Sequence, residues 1–258
     1  MANISQEPNK KKAKVLTVGG VAFDVKLTLV IIAATLLPTI DYYHDVTGAL
    51  LKLAPLHSWK SLFTPHHAYD QLLLFFFAPL FIVLILFRDT ASDYGLCLGN
   101  VKEGIVWTVL ICPIMAVILW FLVRGSAMND YYRHVFYEGA PTGATVIPTH
   151  NHPPLQTTPH LSMLWTSFLL ILPWEFLWRG FFLFGLARVI GPGPAIFVQA
   201  IPFALLHLGK PEVETLTTIF GGAGFGFVAW RTRSCLYPIV IHYFILVTTN
   251  LIASGVFN

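Results

Sequence analysis

The polar residues of this chain are gathered into a few connections, and the stretches between them are apolar over the length of a membrane crossing. Such runs extend roughly from Val21 to Ile40, Gln71 to Phe87, Ile105 to Val123 and Leu161 to Leu186. A fifth ends near Leu208, a sixth begins after Pro211, and a seventh runs from Leu236 to Ala253. An α-helix needs about 20 apolar residues to cross the hydrocarbon core. In lipid, only helices and closed barrels satisfy their own backbone. The pattern therefore predicts an all-α fold, a polytopic transmembrane helical bundle of about seven spans. Composition agrees: 55% of the 258 residues are hydrophobic and 11% are charged, against roughly 25% charged in a soluble domain.

The organisation expected is a basic tail over 1–20, a three-span region over 21–123, a polar loop over 124–160 and a core over 161–258. Lys10, Lys11, Lys12 and Lys14 precede the first span and read as a cytoplasmic anchor. With no aromatics between them they do not suggest a nucleic-acid surface. If the N-terminus is cytoplasmic and the spans alternate, ten lysines and arginines fall inside and five outside, as the positive-inside rule requires. Cys97, Cys112 and Cys235 have neither zinc-knuckle nor disulfide spacing. In the polar loop, His150 and His152 precede two prolines that prevent a converging helix, so a zinc site there is weakly indicated.

Chemistry enters with Glu175 and Arg179, four residues apart inside the fourth span. That spacing puts them on one helix face. Ionisable groups at bilayer depth are costly and generally face a protein interior. An ion pair that fixes helix packing would be the simplest use of these two. His207 ends the fifth span and His242 lies within the seventh, so three ionisable groups come from three spans of one bundle. A carboxylate with two imidazoles is a set able to hold and deprotonate a water, as base and as metal or oxyanion ligands. Gln199 and Arg179 are candidates for the polar lining. Gly222 and Gly226 form a small-xxx-small pair that permits close helix approach.

The order Glu175-x-x-x-Arg179-Gly180, Phe203-x-x-x-His207 and a last span with His242 resembles the Abi/CPBP family of intramembrane proteases, which includes CAAX prenyl endopeptidases and bacteriocin-processing and immunity proteins. The resemblance covers Leu161 to about Ile252 and extends to Asp93-Tyr94-Gly95-Leu96-Cys97-Leu98. It implies that His207 and His242 are catalytic-site histidines; Glu175 would join them as the catalytic carboxylate, with Arg179, Phe203, Gln199, Glu212 and Thr249 as candidate supporting residues. It also implies a membrane-anchored or lipidated protein or peptide as substrate, and a plasma membrane, expected to be a bacterial inner membrane, as location. His207 and His242 are the candidate ligands for a divalent metal such as zinc, or the site works without one. Two positions depart from the family pattern. Trp174 stands where the family has its first glutamate, and Leu246 where it has Asn or Asp. Asn250 lies about 80° off the His242 face, and Thr249 is better placed. A one-residue move turns a carboxylate by about 100°, so Glu175 fills the missing role only in a shifted helix; Glu212 or Glu214 is a substitute if its turn folds back. The sequence thus supports an intramembrane endopeptidase or, alternatively, a catalytically inactive relative acting as a membrane binding or immunity-type protein.

Overall fold

The computed structural model describes residues 14–44, 46–52, 66–133 and 160–256. The loop histidines His150 and His152, and most of the expected polar loop, lie outside the described residues. The chain opens with a hairpin, β1 (Val15–Val18) and β2 (Val21–Asp24), paired antiparallel. Transmembrane helices follow as α1 (Val25–Tyr43), α3 (Ala68–Leu86), α4 (Val101–Val123), α6 (Met163–Ile190) and α9 (Leu236–Ala253). Shorter or less apolar helices are α2 (Val46–Lys52), α5 (Ala127–Arg133), α7 (Pro192–Leu205) and α8 (Glu212–Thr232). Helices occupy most of each of the seven expected spans, and five described helices are long and apolar enough to cross a membrane.

The hairpin corrects the expectation that the first span starts at Val21, and it takes in the last residues of the expected basic tail. Gly19 and Gly20 have φ of 58° and 81°. A two-residue turn with positive φ at both positions matches the twist of paired strands, so the valine-rich flanks pair rather than extend the helix. Asp24 then caps α1, its carboxylate accepting the Leu27 N–H at 2.9 Å.

Helix α6 is the centre of the bundle: 83% of its most apolar window is buried, against 6% for α4 at the rim. It packs against α1, α3, α7, α8 and α9, and Phe176, Leu177, Trp178, Phe181 and Leu183 are fully buried in the core. The outward faces of the other helices carry exposed apolar residues such as Phe121 and Phe220, the surface a lipid-facing bundle presents. Helix α7 meets α8 across the expected glycine pair. A Cβ on Gly222 would lie 3.1 Å from the Phe203 ring, and one on Gly226 would lie 2.6 Å from the Gln199 amide.

At one end of the bundle the connections are tied by charge. Asp89 accepts from Lys26 at 2.6 Å and from Arg188 at 2.9 Å, joining α1, α3 and α6. Burial alone would raise its carboxyl, but those two cations hold it below the usual carboxylate range. Arg231 pairs with Glu103 between α8 and α4. The segment Ala91–Tyr94 forms a short helical turn closed by a Thr90–Asp93 capping box. It inserts Tyr94 between the rings of Phe87 and Phe181. The Gly95 carbonyl accepts the Cys235 N–H at 2.9 Å, anchoring the start of α9.

Candidate active site

Glu175 sits at the point where α6 changes its winding. From Phe176 to Phe182 the helix widens to i→i+5 hydrogen bonds, closed by the Leu183 N–H donating to the Trp178 carbonyl. Such wide turns move every later side chain around the axis relative to an unbroken α-helix and are frequent at functional sites. Gly180 lies within this segment because a Cβ there would come 2.9 Å from the Tyr94 carbonyl oxygen and 2.7 Å from the Phe176 ring. The Glu-x-x-x-Arg-Gly and Asp-Tyr-Gly-Leu motifs thus meet, one giving room to the other.

Both Glu175 and Arg179 are fully buried, with Arg179 Nη1 2.9 Å from Glu175 Oε1. The same carboxylate oxygen lies 2.7 Å from His242 Nδ1 on α9. A carboxylate paired with arginine only accepts, so His242 donates from Nδ1 and keeps Nε2 for other work. Glu175 Oε2 is buried without a hydrogen-bond partner, as are Arg179 Nε and Gln199 Oε1. The Arg179 guanidinium lies 3.8 Å from the centre of the Phe203 ring and 5.3 Å from that of Phe225. Two aromatic faces therefore share the desolvation of its charge with the carboxylate.

His207 follows the C-terminal end of α7, and its Nδ1 bonds the Phe203 carbonyl at 2.8 Å, one turn back. A carbonyl requires a donor, so this imidazole likewise carries its proton on Nδ1 and presents Nε2. Phe203 joins the two histidines, with ring centres 4.7 Å from His207 and 6.1 Å from His242. The loop after His207 is held by Thr215, whose hydroxyl donates to the His207 carbonyl at 2.8 Å. It is held also by Lys210, which pairs with Glu214 at 2.9 Å. Tyr132 on α5 donates to the same Glu214 oxygen at 2.8 Å.

The structure therefore brings Glu175, Arg179, His242, Phe203 and His207 together. Gln199 lies beside them, its amide donating to the Ile196 and Gly222 carbonyls at 2.8 Å. Arg179 Nη2 reaches the same Gly222 carbonyl at 3.5 Å. Glu212 is exposed in the first turn of α8, where its charge suits the helix N-terminus and stands apart from the cluster. Glu214 is occupied by Lys210 and Tyr132. Thr249 is buried on α9, and among the described residues no hydrogen bond joins it to the site.

Trp174 is the residue that sequence reasoning left unexplained. Its indole N–H donates to Gln71 Oε1 on α3 at 2.6 Å, and its ring stands edge-on to Phe203 and His207, each at 6.0 Å. Gln71 in turn donates to the buried Asp41 of α1 across a long 3.4 Å. The position at which the family pattern has a carboxylate is here an aromatic wall, hydrogen-bonded from behind. Only the polar residues ending the apolar runs, Asp41, Asp70 and Gln71, hinted at this second buried polar layer.

A zinc site with three protein ligands needs them converging on one point. Among the described residues no three His, Cys, Asp or Glu side chains do so, and Glu175 Oε1 is already engaged by Arg179 and His242. Among the described residues, the expected metal on His207 and His242 finds no converging third protein ligand.

These features define a polytopic helical membrane protein with a buried Glu–Arg–His centre. Residues 156–248 match the model of a family described as type II CAAX prenyl endopeptidase Rce1-like. The match bears out, over that stretch, the resemblance to the Abi/CPBP family read from the motifs. It spans every member of the cluster and leaves the first three spans unmatched. No curated protein and no solved structure matched the chain.

Proposed function

We infer that the protein is an intramembrane endopeptidase of the CAAX-processing type, with Glu175 as general base. The observation that carries this is the bridging of Arg179 and His242 by Glu175 Oε1 while Oε2 stays buried and unpartnered. Arg179 offsets the charge of the carboxylate through a direct contact at 2.9 Å. Oε2 takes a proton from a water as its oxygen bonds the peptide carbonyl carbon. The proton then passes to the amine as the C–N bond breaks. His242 orients the carboxylate through Nδ1. His207, whose Nδ1 proton is held by the Phe203 carbonyl, offers Nε2 as an acceptor that orients the attacking water. The substrate class that suits such a site is a membrane-anchored or lipidated peptide reaching it from the bilayer. The lysine and arginine distribution supports a cytoplasmic N-terminus. The test is cleavage of a prenylated peptide in proteoliposomes by Glu175→Gln, His207→Ala and His242→Ala. Each should lose about 10²-fold or more, the scale of a general acid–base contribution. Full activity in all three ends the reading.

One observation favours a second reading, a non-catalytic membrane-protein binder: the Trp174 indole is fixed by Gln71 at the position of the family's first glutamate. A cleavage product formed by the natural protein and lost in His207→Ala would overturn it.

A further inference from the structure

The hairpin before α1 has no part in the cluster, yet its side chains are sorted by face. Its register pairs Leu16 with Phe23 and Val18 with Val21. Residues directly opposite in an antiparallel pair share a face, and alternate residues along a strand point to opposite faces. Leu16, Val18, Val21 and Phe23 therefore form one wholly apolar face. Val15, Thr17, Ala22 and Asp24 form the other. The apolar face is bare: its four side chains are 57%, 58%, 56% and 40% exposed. A two-stranded hairpin is marginal in water by itself, and nothing in the described chain covers this one.

Two further observations say what does. Strand β2 runs without a break into α1, whose Leu29, Ile31, Ile32 and Leu36 are exposed on the outside of the bundle. The hairpin thus sits where the lipid-facing surface of a transmembrane helix begins. Its open end carries Lys14, whose carbonyl accepts the Val25 N–H at 3.0 Å. Lys10, Lys11 and Lys12 precede it in sequence. A juxtamembrane basic run is drawn to anionic headgroups, and an apolar face beside it settles at the acyl boundary as amphipathic interfacial segments do.

We propose that the β1–β2 hairpin is an interfacial anchor, lying in the headgroup layer of an anionic bilayer with Leu16, Val18, Val21 and Phe23 against the acyl chains. The occupant of the face is phospholipid, not a second copy of the chain or a peptide added to the strand edge. The full chain, with Cys97→Ala and Cys112→Ala and the buried Cys235 retained, is given one probe cysteine and reconstituted in phosphatidylcholine vesicles with or without phosphatidylglycerol. Leu16→Cys and Val18→Cys place an environment-sensitive fluorophore on the apolar face; Thr17→Cys and Ala22→Cys place it on the other. The expected result is several-fold stronger quenching by acyl-chain-labelled lipid at 16 and 18 than at 17 and 22. Phosphatidylglycerol should increase that quenching, and Lys→Gln changes at 10, 11, 12 and 14 should remove the increase. Equal quenching on both faces overturns the proposal. So does a Leu16 probe shielded from lipid and aqueous quenchers alike, the signature of a protein partner. Quenching indifferent to phosphatidylglycerol overturns the assignment to anionic lipid.

Discussion

Replacing Arg179 with methionine should be among the most destabilising single changes in the protein, and more costly than replacing its partner Glu175 with glutamine. Both side chains are fully buried and their contact is 2.9 Å. Truncating one member of a buried pair costs about 3–5 kcal/mol, chiefly because it strands the other charge. The two stranded charges differ here. Without Arg179, the carboxylate retains only His242 at 2.7 Å. Without the Glu175 charge, Arg179 still has the Phe203 face at 3.8 Å, the Phe225 face at 5.3 Å and the Gly222 carbonyl. A desolvated cation–π contact is worth about 2 kcal/mol, and the glutamine oxygen can still accept from Nη1. Arg179→Met should therefore cost about 3–5 kcal/mol and Glu175→Gln about 1–3 kcal/mol. The double variant should fall short of additivity by about 0.5–3 kcal/mol, as coupled neighbours do. Denaturant or thermal unfolding in one detergent, for the native chain and the three variants, measures all terms of the cycle. Additive costs, or a glutamine variant weaker than the methionine one, would refute the reading of a coupled pair with aromatic support for the cation.

Gly180→Ala should cost about 1–3 kcal/mol through overpacking, since the new methyl meets the Tyr94 carbonyl and the Phe176 ring; unfolding midpoints check this, and an unchanged midpoint would contradict the close approach. Gln71→Leu removes the acceptor of the Trp174 indole N–H and should cost about 1–3 kcal/mol for a buried donor left unmade. Trp174→Phe in the same background should recover part of that loss, and a Gln71→Leu protein of native stability would dismiss the bond. Asp89, held low by Lys26 and Arg188, contributes stability that is complete above the unfolded carboxyl value, about 3.9, and is lost as pH falls through the lower folded value. Its pairs are partly exposed, so the contribution is roughly 1 kcal/mol or less. Asp89→Asn should be the weaker protein at neutral pH and lose less than the native one on acidification; parallel pH–stability curves would count against it.

The membrane bundle was legible because a run of about 20 apolar residues has few other uses. The convergence of Glu175 with His207 and His242 was legible from the cost of such groups at depth. Other features left no local trace. Nothing in the residues of Phe176–Phe182 announces the i→i+5 bonding that this stretch adopts. Trp174 finds its acceptor in Gln71, 103 residues away, and pairings at that separation have no sequence spacing to read. The hairpin was hidden for a different reason: Val21, Ala22 and Phe23 prolong the apolar run of α1, so hydropathy merged a strand with a helix. The paired glycines at 19 and 20 were the available signal.

The length of α7 has a consequence for the bilayer itself. Its 14 residues span about 21 Å at 1.5 Å each, whereas the hydrocarbon core is about 30 Å thick. A helix this short is accommodated by thinning the membrane or drawing headgroups inward beside it. The polar connection that follows, with His207 and Lys210, marks where that hydrophobic mismatch falls. If α7 crosses the bilayer at this length, bulk water and the lipid surface come toward the level of Phe203 and the two imidazoles. The proposed hydrolytic centre, beside such a dimple, would need no long aqueous channel, and its rate would depend on bilayer thickness as well as on its residues.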